Sequence, residues 1–196
     1  DPHGMVEMYH YQSMWNVRQY PVVHETFAEL FGSDKLWVSI DRACCKRPLG
    51  PSDKAYGFVH WDINVNQRPR PFEVQGLVAL TDTDENMGGF QCLPGLYRNL
   101  DEWLAKQPCG KAQTPNLSYE CQYDDEGPVR PVMKAGDLLI WDSFLPHGNG
   151  PNRSKKTRYA QYVTMSPEGD DRLRAARGEG FILRRPPSGW DFPGDP

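Results

Sequence analysis

The chain has 196 residues, 38% hydrophobic, 12% aromatic and 24% charged, enough for one substantial core and short for two ordinary domains. Its 22 basic and 26 acidic residues leave a net charge of −4, which removes the basicity that binding a phosphate backbone needs and sets nucleic acid aside as a partner. No apolar run reaches the ~18 residues that cross a bilayer, so no membrane partner is expected either. The 18 Gly and 18 Pro are about half as many again as average usage supplies, which fits a loop-rich β protein better than a helical bundle.

Five cysteines (Cys44, Cys45, Cys92, Cys109 and Cys121) form an odd set without a CxxC spacing. A chain of this size does not need disulfide staples, so a reducing, intracellular and cytoplasmic setting is expected. Cys44 and Cys45 are neighbours that would face opposite ways on a strand, hence structural residues. The chain opens at Asp1 with no Met, basic segment or apolar segment, which reads as a fragment or trimmed chain whose targeting signals lie elsewhere.

Residues 21–31 carry Val22, Val23, Phe27, Leu30 and Phe31 at helical spacing, with Pro21 at the start and Gly32 just past the end. Residues 36–40 alternate with period two and predict a strand, as do residues 58–65, 73–81, 90–93, 138–145 and 158–164, all rich in β-branched or aromatic residues. Residues 100–107 predict a helix capped by Asn99, with Glu102 three positions on. Residues 106–132 are polar and aperiodic, a long excursion of the kind that covers a pocket. Residues 168–177 read as a charged helix before a Pro, Gly and Trp-rich tail. The expected fold is mainly β, a double-stranded β-helix (jelly roll, cupin-like) with flanking helices. It would form one domain over residues 1–196 with a core at about residues 36–166.

His60 and Asp62 stand two positions apart, so one strand face would carry an imidazole and a carboxylate. Alone, that pair is cheap. The run from Gly136 to His147 adds a second strand-like segment ending in a histidine 85 residues after Asp62. Two histidines and one carboxylate on strands, with three coordination positions open, make the facial triad of non-haem Fe(II) oxygenases, although zinc accepts the same ligands. Arg158 follows His147 by eleven residues and opens an apolar strand. Its guanidinium could fork onto the distal carboxylate of 2-oxoglutarate, which a lysine would not reproduce. Arg153 competes for that role, but it lies in a turn where charged side chains face water.

Phe58-Val-His-Trp-Asp62, the run Glu73 to Asp82, Glu85 to Gly95 and Gly136 to Arg158, with Pro146-His-Gly-Asn-Gly-Pro-Asn152, together resemble the phytanoyl-CoA dioxygenase-like Fe(II)/2-oxoglutarate-dependent dioxygenases. The resemblance implies that His60, Asp62 and His147 bind Fe(II), that Arg158 holds 2-oxoglutarate and that Gln75 lies near it. It further implies use of O2, release of succinate and CO2, and hydroxylation of an unactivated C–H bond in a small organic substrate. Retention of Asp62 disfavours halogenation, for which related enzymes resemble this site with a small residue in place of the acid. Where the family often has Ser-His after its Pro-Gly turn, Pro94-Gly95 is followed here by Leu96-Tyr97, which changes the pocket rim. The acyl-CoA substrate behind the family's name is not carried over, and the oligomeric state is left open.

Gln75 is either a cosubstrate neighbour or a satisfied core amide, and Asn149 either donates to the cosubstrate or shapes the turn between Gly148 and Gly150. Trp61 and Trp141 are read as packing beside the ligands. His3, His10 and His24 lack partners at ligand spacing. The competing readings are a cupin-like metalloenzyme that does not use 2-oxoglutarate and a non-catalytic metal-binding jelly-roll protein.

Overall fold

The computed structural model describes residues 4–53, 59–112, 116–117 and 127–185. In chain order its strands are β1 (Met5–Val6), β2 (Leu36–Val38), β3 (Ala43–Lys46), β4 (Val59–His60), β5 (Val74–Ala79), β6 (Phe90–Cys92), β7 (Asn116–Leu117), β8 (Leu138–Asp142), β9 (His147–Asn149), β10 (Arg158–Tyr162) and β11 (Met165–Pro167). The α-helices are α1 (Gln12–Arg18), α2 (Pro21–Phe31), α3 (Pro94–Arg98), α4 (Leu100–Ala105) and α5 (Asp171–Ile182). A five-stranded sheet runs β1-β3-β10-β5-β8, a four-stranded sheet β6-β9-β4-β7, and β11 pairs with β2 in a third. Every ladder is antiparallel. This is the mainly β jelly-roll architecture expected from the many short strands.

Strand alternation builds the layers. On β5, Leu77 and Ala79 point inward and meet Phe90 and Cys92 of the opposing sheet, with Cys44, Trp141 and Ala160 completing the core between the sheets. Val74 and Val78 point the other way, against Val23 and Phe27 of α2. Val23 and Phe27 stand one helical turn apart, so a single face of α2 covers the five-stranded sheet. Pro21 starts that helix and Gly32, at φ 62°, ends it, as its spacing predicts. Beyond the four-stranded sheet, Leu96 of α3 and Leu100 and Leu104 of α4 pack on Val59, Trp61 and Phe144.

Several boundaries differ from the sequence expectation. The strand expected over residues 58–65 is only Val59–His60 among the described residues: the chain bends at Asp62 and Ile63, and the Asn64 side chain accepts from the Asn66 N–H in the turn that follows. Likewise the run 138–145 leaves the sheet at Asp142, whose Oδ1 accepts the Phe144 N–H at 2.7 Å. The run 158–164 is a strand only as far as Tyr162, as β10 of the large sheet, and β11 starts beyond it at Met165 to pair with β2. Asn99 caps nothing with its side chain, which donates back to the Gly95 carbonyl, while Glu102 pairs with Lys106. The C-terminal helix begins at Asp171 because Glu168 still extends the β2 ladder through the Lys35 carbonyl. In the excursion at residues 106–132, β7 adds to the edge of β4 and Val129 bridges Cys92. Residues 118–126 and Cys121 lie outside the described residues, as do His3 and Phe58.

Candidate metal centre

The four-stranded sheet places His60 of β4 directly opposite His147 of β9. Cross-strand neighbours of this kind have Cβ atoms only ~5 Å apart, and the two imidazole centroids stand 4.9 Å apart. Asp62 lies in a bend past the end of β4 and returns its carboxylate to the same spot. Its Oδ1 is 3.3 Å from His60 Nε2, and its Oδ2 is 3.4 Å from His147 Nε2. Ligand atoms of all three residues lie within 4.8 Å of one another.

The donor chemistry fits a cation. His147 Nδ1 is 2.9 Å from the Leu145 carbonyl, and a carbonyl only accepts, so the ring proton sits on Nδ1. Nε2 is thereby left as a lone pair directed toward Asp62, an arrangement that a shared divalent ion relieves. Burial opposes ionisation of Asp62, but the His147 and His60 rings facing it and the hydrogen bond from the Gln75 amide hold its carboxyl well below the usual carboxylate range. His147 is 5% exposed, behind Phe90 and Trp141, whose rings stand 5.9 and 5.0 Å from its own. Two imidazoles and a carboxylate suit non-haem iron, with positions left for a second molecule.

The five-stranded sheet supplies the facing wall. Arg158 is 1% exposed on β10. Its Nη1 donates to Asn149 Oδ1 at 3.2 Å and approaches Cys44 Sγ at 3.4 Å, while its buried Nε has no hydrogen-bond partner among the described residues. None of the ion pairs formed by the described residues includes Arg158. Lys46, also buried, stands directly opposite it across the β3–β10 ladder. Burial lowers the Lys46 pKa, Cys44 opposes that and the Arg158 charge lowers it further. A buried guanidinium without a counter-charge is costly, and a ligand carboxylate would balance it. Asn149 also donates to Tyr162 Oη at 2.7 Å, and burial pushes that phenol well above its ordinary pKa.

The residues singled out from sequence therefore sort by geometry. His60, Asp62 and His147 converge, and Arg158 and Asn149 share a hydrogen bond on the adjoining wall. Arg153 is exposed. Gln75 is an engaged amide, bonded to Asp62 and Trp141. Trp61 packs away from the site and donates to the Phe144 carbonyl. His10 and His24 face the backbone carbonyls of Arg185 and Asp34. Lys46, Cys44 and Tyr162 escaped sequence reasoning, because Ala-Cys-Cys-Lys carries no strand pattern and only the β3–β10 pairing brings it to Arg158. The hydrogen bond from Trp141 escaped for a similar reason: its partner is 66 residues away.

A provisionally named phytanoyl-CoA dioxygenase of Dictyostelium discoideum is 26% identical over 186 residues, covering 76% of this chain and 52% of its own. The chain spans about half the length of the curated relatives it matches first. Its backbone resembles that of GlcNAc Inducible Gene 2 from Candida albicans with a TM-score of 0.74 at 14% identity, covering 97% of this chain and 59% of that one. It also resembles the epimerase SnoN, crystallised with Fe3+, alpha ketoglutarate and nogalamycin RO, with a TM-score of 0.57 at 15% identity over 80% of this chain and 59% of SnoN. At these identities the structural likeness establishes the fold. The model of the family Phytanoyl-CoA dioxygenase (PhyH) matches residues 12–160, most of the sequence, and the chain belongs to that family.

Proposed function

We propose that this chain is a single Fe(II)- and 2-oxoglutarate-dependent dioxygenase domain that hydroxylates an unactivated C–H bond of a small organic substrate. The observation that carries this reading is the pairing of a three-ligand cluster on one sheet with a buried arginine on the other that has no ion-pair partner among the described residues. His60, Asp62 and His147 would hold iron, and Arg158 would hold the distal carboxylate of 2-oxoglutarate. Iron with its keto-acid cosubstrate would supply the oxidation, one atom of O2 going to the substrate and the other to succinate as CO2 leaves. The protein's part is to bind and orient. His147 keeps its lone pair outward through the Leu145 carbonyl, Asp62 stays ionised, and Phe90 and Trp141 shield the inner side from water. Asn149 supports the Arg158 fork. The use of alpha ketoglutarate by SnoN, which shares the fold, supports the same cosubstrate here. Cys44, Cys45, Cys92 and Cys109 are free thiols, in keeping with a reducing, cytoplasmic setting.

Anaerobic Fe(II) and 2-oxoglutarate should give the weak visible charge-transfer band of a chelate, and aerobic turnover should couple O2 consumption to succinate release. Arg158→Ala removes a bidentate charge-assisted contact and should weaken 2-oxoglutarate binding about 10- to 100-fold, with Fe(II) affinity little changed. No band from iron-loaded protein, or unaltered 2-oxoglutarate affinity in Arg158→Ala, defeats the reading.

A further inference from the structure

A hydrogen-bond relay runs from the five-stranded sheet to the metal cluster, and none of its members is a ligand. Trp141 Nε1 donates to Gln75 Oε1 at 3.1 Å, and Gln75 Nε2 donates to Asp62 Oδ2 at 2.7 Å. Gln75 and Trp141 are direct cross-strand partners at the β5–β8 pairing. We propose that Trp141 and Gln75 are positioning residues that fix the orientation of the Asp62 carboxylate, the indole setting which end of the Gln75 amide faces it. The proposal rests on the reading of His60, Asp62 and His147 as an iron site.

Asp62 needs such a tether. Its side chain is 49% exposed and sits in a bend rather than on a strand, so packing holds it on few sides. Trp141, by contrast, is 7% exposed and locked by the rings of Phe90 and His147 at 4.6 and 5.0 Å. An indole N–H only donates, so the carbonyl end of the Gln75 amide turns toward it and the NH2 end toward Asp62. The opposite flip would set an oxygen against a carboxylate and an NH2 against an N–H. A rigid aromatic thus transmits its order through one amide to an exposed ligand. With Oδ2 held by the amide, Asp62 offers Oδ1 as a single ligand atom. A carboxylate binding through both oxygens would consume a coordination position that a chelating keto acid and O2 require.

The test uses Mn(II) as a redox-inert probe, with affinity from anaerobic titration and ligand symmetry from the electron paramagnetic resonance spectrum. Trp141→Phe keeps a ring against Phe90 and His147 but removes the N–H, and Gln75→Leu removes both bonds. Each should weaken Mn(II) binding about tenfold, as loss of groups supporting metal ligands does, and should broaden the spectrum. Because Trp141 acts through Gln75, the double variant should bind no more weakly than Gln75→Leu alone. Gln75→Asn, which keeps the amide but shortens its reach, serves if Gln75→Leu does not fold, and should weaken binding likewise. Unchanged affinity and spectrum in these variants, or losses that simply add, overturn the relay. If the wild type binds no Mn(II), or His60→Ala binds it as tightly as the wild type, the metal reading falls and takes the relay with it.

Discussion

Cys92 stands directly across the ladder from His147 of the proposed metal site, yet its chemistry is muted by its surroundings. Burial among Phe90, Trp141 and Met133 pushes its thiol up to about 11. The folded state therefore keeps a proton that the unfolded chain gives up near pH 9, so stability should fall as pH rises from about 9 to about 11. At pH 9, mass spectrometry should find exposed Cys109 alkylated by iodoacetamide and Cys92 intact. Equal labelling would mean that the core between the sheets opens readily. The same environment explains what could be read in the sequence at this scale. His60, Asp62, His147 and Arg158 are chemically conspicuous types at informative spacings. Lys46 and Tyr162 reach the site only through strand pairing, which no local pattern records.

Among elements, α2 was fully foreseeable and the strand ends were not. Pro21, Gly32 and an apolar face determine the helix from within its own residues. The end of β8 instead depends on the single Asp142 side chain that bends the backbone against the apolar run continuing past it, and β4 gives way to a bend at Asp62 and Ile63 within a run that still looks like strand. Strands β1 and β3, short and without alternation, acquire their place from neighbours in the five-stranded sheet. Gly76 shows how closely helix and sheet approach. A Cβ there would lie 2.6 Å from the Val163 carbonyl oxygen and 3.2 Å from Phe27 Cζ, so Gly76→Ala must push β5 or the chain at Val163 aside. Overpacking of that kind costs about 1–3 kcal/mol. Gly32→Ala meets no atom within 4 Å but keeps an αL backbone at φ 62°, for a cost of about 1 kcal/mol. Urea denaturation should rank Gly76→Ala as the greater loss, and the reverse order would show that the Val163 chain does not approach Gly76 as closely as described.

For the whole molecule, the decisive feature is that the proposed site draws on both sheets. His60 and His147 belong to the four-stranded sheet, whereas Arg158 and Gln75 belong to the five-stranded sheet. A divalent ion alone would tie β4, β9 and the Asp62 bend together. A dicarboxylate held by that ion at one end and by Arg158 at the other would also clamp the two sheets. Ligands that bind only the folded state stabilise it by mass action, about 2.7 kcal/mol at a hundredfold excess over Kd, which for a domain of this size raises Tm by roughly 5–10 °C. Chelation with EDTA should therefore lower Tm, and Mn(II) should restore it in the wild type but not in His60→Ala. Adding 2-oxoglutarate to the Mn(II) form should raise Tm further. Pyruvate, which keeps the keto acid but lacks the distal carboxylate, should add little at the same concentration. In Arg158→Ala the advantage of 2-oxoglutarate over pyruvate should vanish while the Mn(II) increment remains. Equal shifts from the two keto acids in the wild type would mean that Arg158 does not grip the cosubstrate and that the sheets are joined by the metal ligands alone.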